Sequence, residues 1–359
     1  MTTKLVALAA TGALMIPVNA HAQAAEVALY GQINTSLELV NGRQEDGANH
    51  NVFRINSNSS RIGIRGTEAL GGGLNALFQL ESSVAIDAGG STLGGRDTYV
   101  GLAGRLGTIR VGNFLAPYDD IHVIFGNVPT LTTSILSTAA LWAQGTSGKV
   151  TGGFDARLPN SVRWDTPTVS GLNGSLQYSP LETTNHASIL SLGGFYTHGP
   201  LQAGVAYEHN NKVRGDNVND DAFSVAGSYS FGIAEIGAVY ERLKYDTPSG
   251  SLKRDFWGLS ATASVGPGVV YAFYGHAADG KGSAAEGTRI TGLAKGSGTS
   301  SDQWELSYTY PLSKRTLLYT GYVKIDNRSN ASYTFNINPY PTAIGGKPEG
   351  WVLGAVHFF

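Results

Sequence analysis

Apolar and polar side chains alternate along much of this chain, and the alternation continues to the last residue. In the closing segment WVLGAVHFF, Trp351, Leu353 and Phe359 fall on one face of an extended backbone. A period of two residues is typical of a β-strand with one apolar face. The same pattern runs through residues 27–39 and 303–310. Because chain termini are usually polar and frayed, the final strand must be held by another part of the chain.

The connections between the alternating segments are short and long in turn. Seven are tight turns rich in Gly and Pro and eight are longer polar segments, so fifteen connections join sixteen strands. We predict tight turns near residues 71–73, 104–107, 167–171, 198–200, 231–232, 266–268 and 311–313. We predict long loops at residues 41–51, 87–95, 114–158, 180–188, 210–220, 246–253, 279–301 and 327–348.

This asymmetry between the two ends of the strands is typical of barrels that cross the bacterial outer membrane. Lipid cannot satisfy the hydrogen bonds of an open sheet edge, so a sheet that spans a membrane has to close on itself. The sequence therefore predicts an all-β fold: a transmembrane, sixteen-stranded antiparallel β-barrel whose last strand pairs with the first. Beyond the N-terminal segment, no run of eighteen apolar residues indicates a spanning helix.

Composition excludes several other classes of protein. The 25 Lys and Arg residues are balanced by 27 Asp and Glu residues, so no basic face is available to bind nucleic acid. The chain has no cysteine, and we find neither a G-x-G-x-x-G motif nor a P-loop. We therefore expect no catalytic site, no cofactor and no bound metal.

The N-terminus has the parts of a secretory signal peptide. Lys4 precedes an apolar stretch from residue 5 to about residue 18, and small-residue cleavage motifs follow it. We predict a signal peptide over residues 1–22 with cleavage after Ala22, cleavage after Ala24 being the alternative. The mature barrel would then span residues 23–359.

Six segments resemble, in the same order, the general diffusion porins of Gram-negative outer membranes, in the branch typified by betaproteobacteria. They are AEVALYGQINTSLEL, SRIGIRGTEALGGGLNALFQLES, RDTYVGLAGRLGTIRVGNFLAPYDD, LPNSVRWDTPTVSGLNGSLQYS, DQWELSYTYPLSKRTLLYTGY and the C-terminal phenylalanine. The resemblance covers nearly the whole mature chain. It implies a homotrimer in the cell outer membrane, each protomer having its own water-filled channel, narrowed by a third loop that folds inward.

The same resemblance implies a function and partners. The function is passive diffusion of ions and small hydrophilic solutes. The partners are outer-membrane lipids, lipopolysaccharide and the machinery that inserts barrels into the membrane. Gly354 and Phe359 match the C-terminal segment that closes the barrel and serves as the assembly signal of this family.

The longest connection, residues 114–158, is the candidate constriction loop. A structureless loop of this length is unusual, and its apolar content argues against disorder. We interpret it as the inward-folded loop; the alternative is an external loop packed on the rim or on a neighbouring protomer. Its aromatic residues Tyr118 and Phe125 are candidates for stacking against a solute.

Alternation also predicts which arginines face the lumen. Ile62 and Ile64 belong on the lipid side, so their odd-numbered neighbours point inward, and two later strands follow the same rule. An arginine that faced lipid at the bilayer midplane would cost about 2–4 kcal/mol. The predicted basic wall of the constriction consists of Arg61, Arg65, Arg110 and Arg163. The resemblance supports this role for three of them, whereas Arg65 depends on alternation alone.

The constriction loop supplies the opposing charges, Asp119 and Asp120. Four arginines against two aspartates leave the constriction net basic, which predicts a mild preference for anions. The alternative is that single arginines pair with carboxylates of the wall, such as Glu68 or Glu81.

Three other functions remain as alternatives. An enzyme in the barrel is disfavoured because the chain has no G-x-S-x-G motif and its eight histidines are scattered. A solute-specific porin with a saturable binding site is a variant of the main prediction. A plugged barrel that acts as an adhesin or structural protein is the third, because an inserted loop can close a pore as well as narrow it.

Overall fold

The computed structural model describes residues 26–127, 134–144 and 153–359. The predicted signal peptide, residues 1–22, lies outside these residues. Within them, sixteen long antiparallel strands form one closed sheet, which confirms the predicted barrel. None of the described helices is long and apolar enough to cross a membrane.

Strands that follow one another in the sequence are neighbours in the barrel and run in opposite directions. They are β1 (Glu26–Arg43), β2 (Asn49–Ser57 and Arg61–Gly71), β3 (Leu74–Val84), β4 (Thr98–Gly104), β5 (Gly107–Leu115), β6 (Arg157–Asp165), β7 (Leu172–Pro180), β8 (Ser188–His198), β9 (Leu201–Asn211), β10 (Asn219–Ser230), β11 (Ala234–Thr247), β12 (Gly250–Val265), β13 (Gly268–Ala277), β14 (Ser301–Pro311), β15 (Thr316–Asn327) and β16 (Glu349–Phe358). Short ladders at Ser91–Thr92 and between Arg289–Ile290 and Leu293–Ala294 lie in two of the loops.

The barrel closes where β16 pairs with β1, from Asn41 opposite Glu349 to Gln32 opposite Phe358. The terminal Phe359 exchanges two backbone hydrogen bonds with Gly31, of 3.1 and 3.2 Å. A Cβ atom on Gly31 would lie 2.4 Å from the Phe359 ring. The apolar carboxyl terminus is therefore part of the seam, and glycine at position 31 leaves room for it.

Gly354 also permits a close contact, on the inner side of the same strand. A Cβ atom at this position would lie 2.2 Å from the ring of Tyr319 on β15. The pairing of the first and last strands is thus confirmed. The role of Gly354 and Phe359 as an assembly signal stays a prediction.

The outer face of the barrel is apolar and the inner face is polar. On β1, Leu29 and Leu39 are 62% and 60% exposed on the outside, whereas Asn34 and Glu38 are fully buried on the inside. Such a surface is stable only if lipid surrounds it.

One irregularity in β2 reverses the alternation. Thr35 of β1 lies opposite Ser57, but Gln32 lies opposite Arg61, so residues 58–60 face only two residues of β1. The extra residue changes which parity points outward. Odd-numbered side chains face lipid before the break and even-numbered ones after it, which places Arg61 in the lumen as predicted.

The prediction of a long loop at residues 246–253 is wrong. β11 continues to Thr247 and β12 begins at Gly250, so only two residues connect them. These residues are polar because both strands extend beyond the apolar outer face, where polar side chains contact water on the outside as well. Composition alone does not distinguish such an extension from a loop.

Candidate pore constriction

The connection between β5 and β6, residues 116–156, is called the constriction loop below. Its described residues fold into the barrel, as predicted. Its described parts include two short 3-10 helices, Asp119–Ile124 and Thr138–Ala140. Ile121, Leu136 and Trp142 are completely buried between the loop and the inner wall. The alternative of an external loop on the rim is therefore wrong for these residues.

Hydrogen bonds attach the constriction loop to one arc of the wall. Trp142 Nε1 donates to Ser224 Oγ of β10 at 3.2 Å. The hydroxyl of Tyr271 on β13 donates to the carbonyl of Phe125 at 2.6 Å. The side-chain amide of Asn127 donates to Glu305 of β14 at 2.6 Å. Ile124 and Leu136 of the loop also pack on Gly204 of β9 and Gly321 of β15. The loop thus lies against β9–β15 and leaves the arc of β2–β6 uncovered, except where Asp120 meets Arg163 of β6.

A fully buried ion pair stands at the centre of this attachment. Arg254 of β12 contacts Glu241 of β11 and donates to the carbonyl of Leu141 in the loop. Glu241 also accepts from the hydroxyl of Tyr118 at 2.9 Å and from the backbone N–H of Ala143 at 2.7 Å. A buried pair offsets its desolvation only when further hydrogen bonds satisfy both charges. Here the constriction loop supplies three such bonds, through Leu141, Tyr118 and Ala143.

A second loop enters the mouth of the barrel, and the sequence analysis did not predict that this loop folds inward. Residues 328–348, here the C-terminal loop, bury Tyr333, Phe335 and Tyr340. Asn338 Nδ2 donates to Asn58 Oδ1 in the break of β2 at 2.7 Å. The sequence offered a signal, because three aromatic residues in a long polar connection indicate an inward-folded loop just as the apolar residues of 114–158 do.

Three cavities follow one another along the lumen. The outermost is about 420 Å³ and lies between the two inward-folded loops. The middle cavity, about 400 Å³, shares Asp155 and Asn336 with the outermost one. The innermost is about 360 Å³ and shares Val123 with the middle one. The middle cavity is the candidate constriction because both inward-folded loops and the uncovered wall line it.

Charged groups of both signs line the middle cavity. The cations are Arg61, Arg96 and Arg157, and the acids are Glu81, Asp97, Asp119 and Asp155. Alternation did not reveal Arg96, Asp97 and Asp155 because they lie in loops, where side-chain parity has no meaning.

The predicted arginines all lie in the lumen, but each has a partner. Arg61 Nε is 3.4 Å from Glu81, which is the wall pairing considered as the alternative. Arg110 pairs with Asp165 at 2.7 Å. The guanidinium of Arg65 lies 4.8 Å from the ring of Tyr30.

Arg163 and Asp120 do not face each other across a gap, contrary to the prediction. Arg163 contacts Asp120 at 2.5 Å and Asp165 at 2.8 Å. The loop therefore touches the wall at this point, since the short 3-10 helix brings Asp120 directly over β6. The count of four arginines against two aspartates is likewise wrong, because Glu81, Asp97, Asp155 and Asp165 were not included in it.

Tyr118 and Phe125 belong to the constriction loop but are not available to a solute. Tyr118 is completely buried and stacks on Trp142, with ring centroids 5.5 Å apart. Phe125 is 1% exposed and packs on the same tryptophan and on Phe273 of β13. Both aromatics fix the loop to the wall.

Burial shifts the pKa values of two acids and one histidine in the constriction loop. Burial raises the pKa of Asp119 well above its usual range, and nearby Asp155 and Asp120 raise it further. Burial also raises the pKa of Asp155 to about 7. Burial lowers the pKa of His122 to about 4. Near neutral pH, His122 is therefore uncharged, and these acids carry less charge than their number suggests.

Fold and site together define a transmembrane β-barrel with a narrowed lumen. The chain belongs to the Gram-negative porin family, whose model matches residues 5–330. Outer membrane porin protein 32 of Delftia acidovorans is 29% identical over 361 residues, covering 96% of this chain and 94% of that protein.

Solved structures are similar over nearly the whole chain. An anion-selective porin from Comamonas acidovorans has a TM-score of 0.76 at 25% identity, covering 94% of this chain and all of that one. The trimer form of OmpT from Vibrio cholerae has a TM-score of 0.67 at 18% identity, covering 94% of this chain and all of that one, and supports the fold alone. The chain is an outer-membrane porin, a channel for passive diffusion.

Proposed function

We propose that this porin conducts ions and small hydrophilic solutes with a mild preference for anions. The observation that carries the proposal is the charge balance of the middle cavity. Three arginines line it, and of its four acids Asp119 and Asp155 have pKa values raised by burial. At neutral pH the cations therefore outweigh the ionised acids, and excess cationic charge at a constriction lowers the barrier for anions. The similarity to an anion-selective porin supports the same conclusion.

The reversal potential across a planar bilayer tests this preference directly. With a tenfold KCl gradient at pH 7, we expect the sign that corresponds to chloride permeating faster than potassium. A firm cation preference would contradict the proposal. Open, ohmic single-channel steps are expected, whereas a silent membrane would favour the plugged barrel.

We further infer a homotrimer without enzymatic activity. The resemblance of the six sequence segments to a family of trimeric porins supports the oligomeric state. Among the described residues, no group of three or more His, Cys, Asp or Glu is placed to hold a metal ion. Mass measurement in detergent and conductance steps in groups of three would test the trimer, and hydrolase assays on ester and peptide substrates would test the inactivity.

A saturable solute site is the second candidate, since both inward-folded loops line the middle cavity. Liposome swelling with a graded series of sugars and organic acids distinguishes the two. A rate that depends only on solute size supports general diffusion, and competition between solutes supports a binding site. Lipopolysaccharide, outer-membrane lipids and the insertion machinery are the proposed partners of the barrel.

A further inference from the structure

A sequence motif repeats on four successive hairpins of the described barrel, from β9 to β16. The first strand of each hairpin carries a tyrosine and, two positions later, a basic residue: Tyr207 and His209, Tyr240 and Arg242, Tyr274 and His276, Tyr322 and Lys324. The second strand carries an acid and, two positions later, an aromatic residue: Asp221 and Phe223, Asp255 and Trp257, Asp302 and Trp304, Glu349 and Trp351. Among the described strands β1–β8, no hairpin has this combination.

The register places these residues in two tiers. In every one of the four hairpins the tyrosine lies directly opposite the second aromatic, and the basic residue lies directly opposite the acid. The pairs of aromatic residues form the aromatic tier and the pairs of basic and acidic residues form the charge tier. We call the two tiers together the outer band. Rings in the aromatic tier also touch, Tyr274 and Trp304 having centroids 4.3 Å apart.

Each acid of the outer band is held by two neighbours. The four tyrosine hydroxyls donate to their acids at 2.7, 3.0, 2.7 and 2.7 Å, in chain order. The basic residues contact the same acids at 2.8, 2.7, 2.8 and 3.8 Å. Lys244, Lys281 and Arg328 approach three of these acids from adjacent strands and loops. A cation held in this way has less rotamer freedom to lose when it binds a ligand.

The outer band lies on the lipid side of the wall, at the end that carries the long loops. Rings of Trp and Tyr mark the boundary between the apolar layer and the headgroups. The charge tier lies two residues beyond the rings, about 7 Å along a strand, and is therefore at headgroup depth.

Exposure within the charge tier favours an anionic ligand. The side chains of Arg242 and Arg328 are 55% and 53% exposed, whereas their acidic partners Asp255 and Asp302 are 19% and 10% exposed. At these two positions the cations point outward and the acids are recessed behind them, whereas Lys324 and Glu349 are about equally exposed, at 36% and 37%. A phosphate at this depth meets guanidinium and ammonium groups first.

We propose that the outer band is a docking surface for the phosphorylated sugar headgroups of the glycolipid in the outer leaflet. The cations bind phosphate, and the aromatic tier packs against the sugar rings and the first carbons of the acyl chains. The inference deepens the proposed contact with lipopolysaccharide and assigns it to the β9–β16 side of the barrel.

Lipid binding by the full-length chain in detergent tests the proposal. The probes are diphosphorylated lipid A and, for comparison, phosphatidylcholine, with affinity measured by the shift of the thermal unfolding midpoint. Removing two surface cations in R242Q/R328Q is expected to weaken lipid A binding about 30-fold, with phosphatidylcholine unaffected. The matched control K314Q/R315Q removes the same charge from the tight turn at the other end, and is expected to change binding less than twofold.

Further measurements separate this proposal from the channel function. R242K/R328K is expected to restore most of the affinity. R242Q/R328Q should keep wild-type conductance and ion preference, because neither residue lines any of the three lumen cavities described above. If the double variant does not assemble, R242Q and R328Q are each expected to weaken binding about fivefold. Equal weakening in the band and control variants would overturn the proposal, as would equal affinity of the wild type for both lipids. Loss of the oligomer in R242Q/R328Q would show that another copy of the chain covers this face.

Discussion

The inner wall of the barrel has two unlike arcs. On β2–β6, arginines such as Arg61 and Arg110 contact the lumen, and their side chains are 26% and 20% exposed. On β11 and β12, Glu241 and Arg254 also point inward but are completely buried, because the constriction loop covers them. The same strand periodicity produces both arcs. Whether an inward charge contacts a permeating ion or anchors a loop therefore depends on what covers it.

Small residues on the covered arc let the loop approach the wall. A Cβ atom on Gly204 of β9 would lie 2.7 Å from Ile124 of the loop, and one on Gly321 of β15 would lie 3.0 Å from Leu136. The uncovered arc carries large charged side chains at the corresponding inward positions. The two arcs are thus complementary, one shaped for packing and the other for water and ions.

Removing the buried arginine of the covered arc should have the largest effect, a loss of stability. Arg254→Met leaves Glu241 buried without its cation, which is expected to cost about 3–5 kcal/mol in the free energy of unfolding. The loop loses a bond at Leu141, so single-channel recordings should become noisy. Denaturant unfolding in detergent measures the stability. As a control, E241M/R254M should recover most of the loss, because no unpaired charge remains.

Crowding the contact between loop and wall should have a smaller effect. Gly321→Val places new carbons against Leu136 and Ser307, which is expected to cost about 1–3 kcal/mol. The loop should shift toward the uncovered arc and lower the single-channel conductance. Gly194→Val is the matched control, because its Cβ would only touch Val205 at an ordinary 3.5 Å. Identical conductance in both variants would show that the loop does not pack on Gly321.

Neutralising a cation on the uncovered side tests the selectivity. Arg157→Gln removes one of the three cations of the middle cavity. The chloride-to-potassium permeability ratio should fall about two- to fivefold, the range expected for one charge acting over a few ångströms in water. Arg254→Lys retains the charge on the covered arc and should leave the ratio unchanged. A ratio unaffected by Arg157→Gln would contradict the proposed role of the middle cavity.

The smallest effect concerns pH. Asp155 has a pKa of about 7, so it is mostly protonated and neutral below pH 6 and mostly ionised above pH 8. Its negative charge at high pH opposes the nearby cations Arg61, Arg96 and Arg157. Anion preference should therefore decline, about twofold, between pH 6 and pH 8. Reversal potentials in Asp155→Asn should not show this step, and a full step in that variant would assign the titration to another group.

Much of the architecture followed from residues 27–39, 303–310 and 351–359 without further information. Their alternation predicts β-strands, and the alternation of short and long connections predicts a barrel of sixteen strands with a sealed edge. Inward arginines on regular strands were also predictable, because parity is a local property. The break in β2 did not disturb that prediction, since the isoleucines next to Arg61 lie after it.

What the sequence determined by itself was the barrel, its lipid face and the strand arginines, because these depend on a two-residue period that neighbouring residues establish. Only the tertiary structure decided the partners of those arginines, the entry of residues 328–348 into the mouth, and the burial of Tyr118 and Phe125. Those features join residues that lie tens to hundreds of positions apart. They depend on how two irregular loops pack inside a closed wall, and no local period encodes that packing.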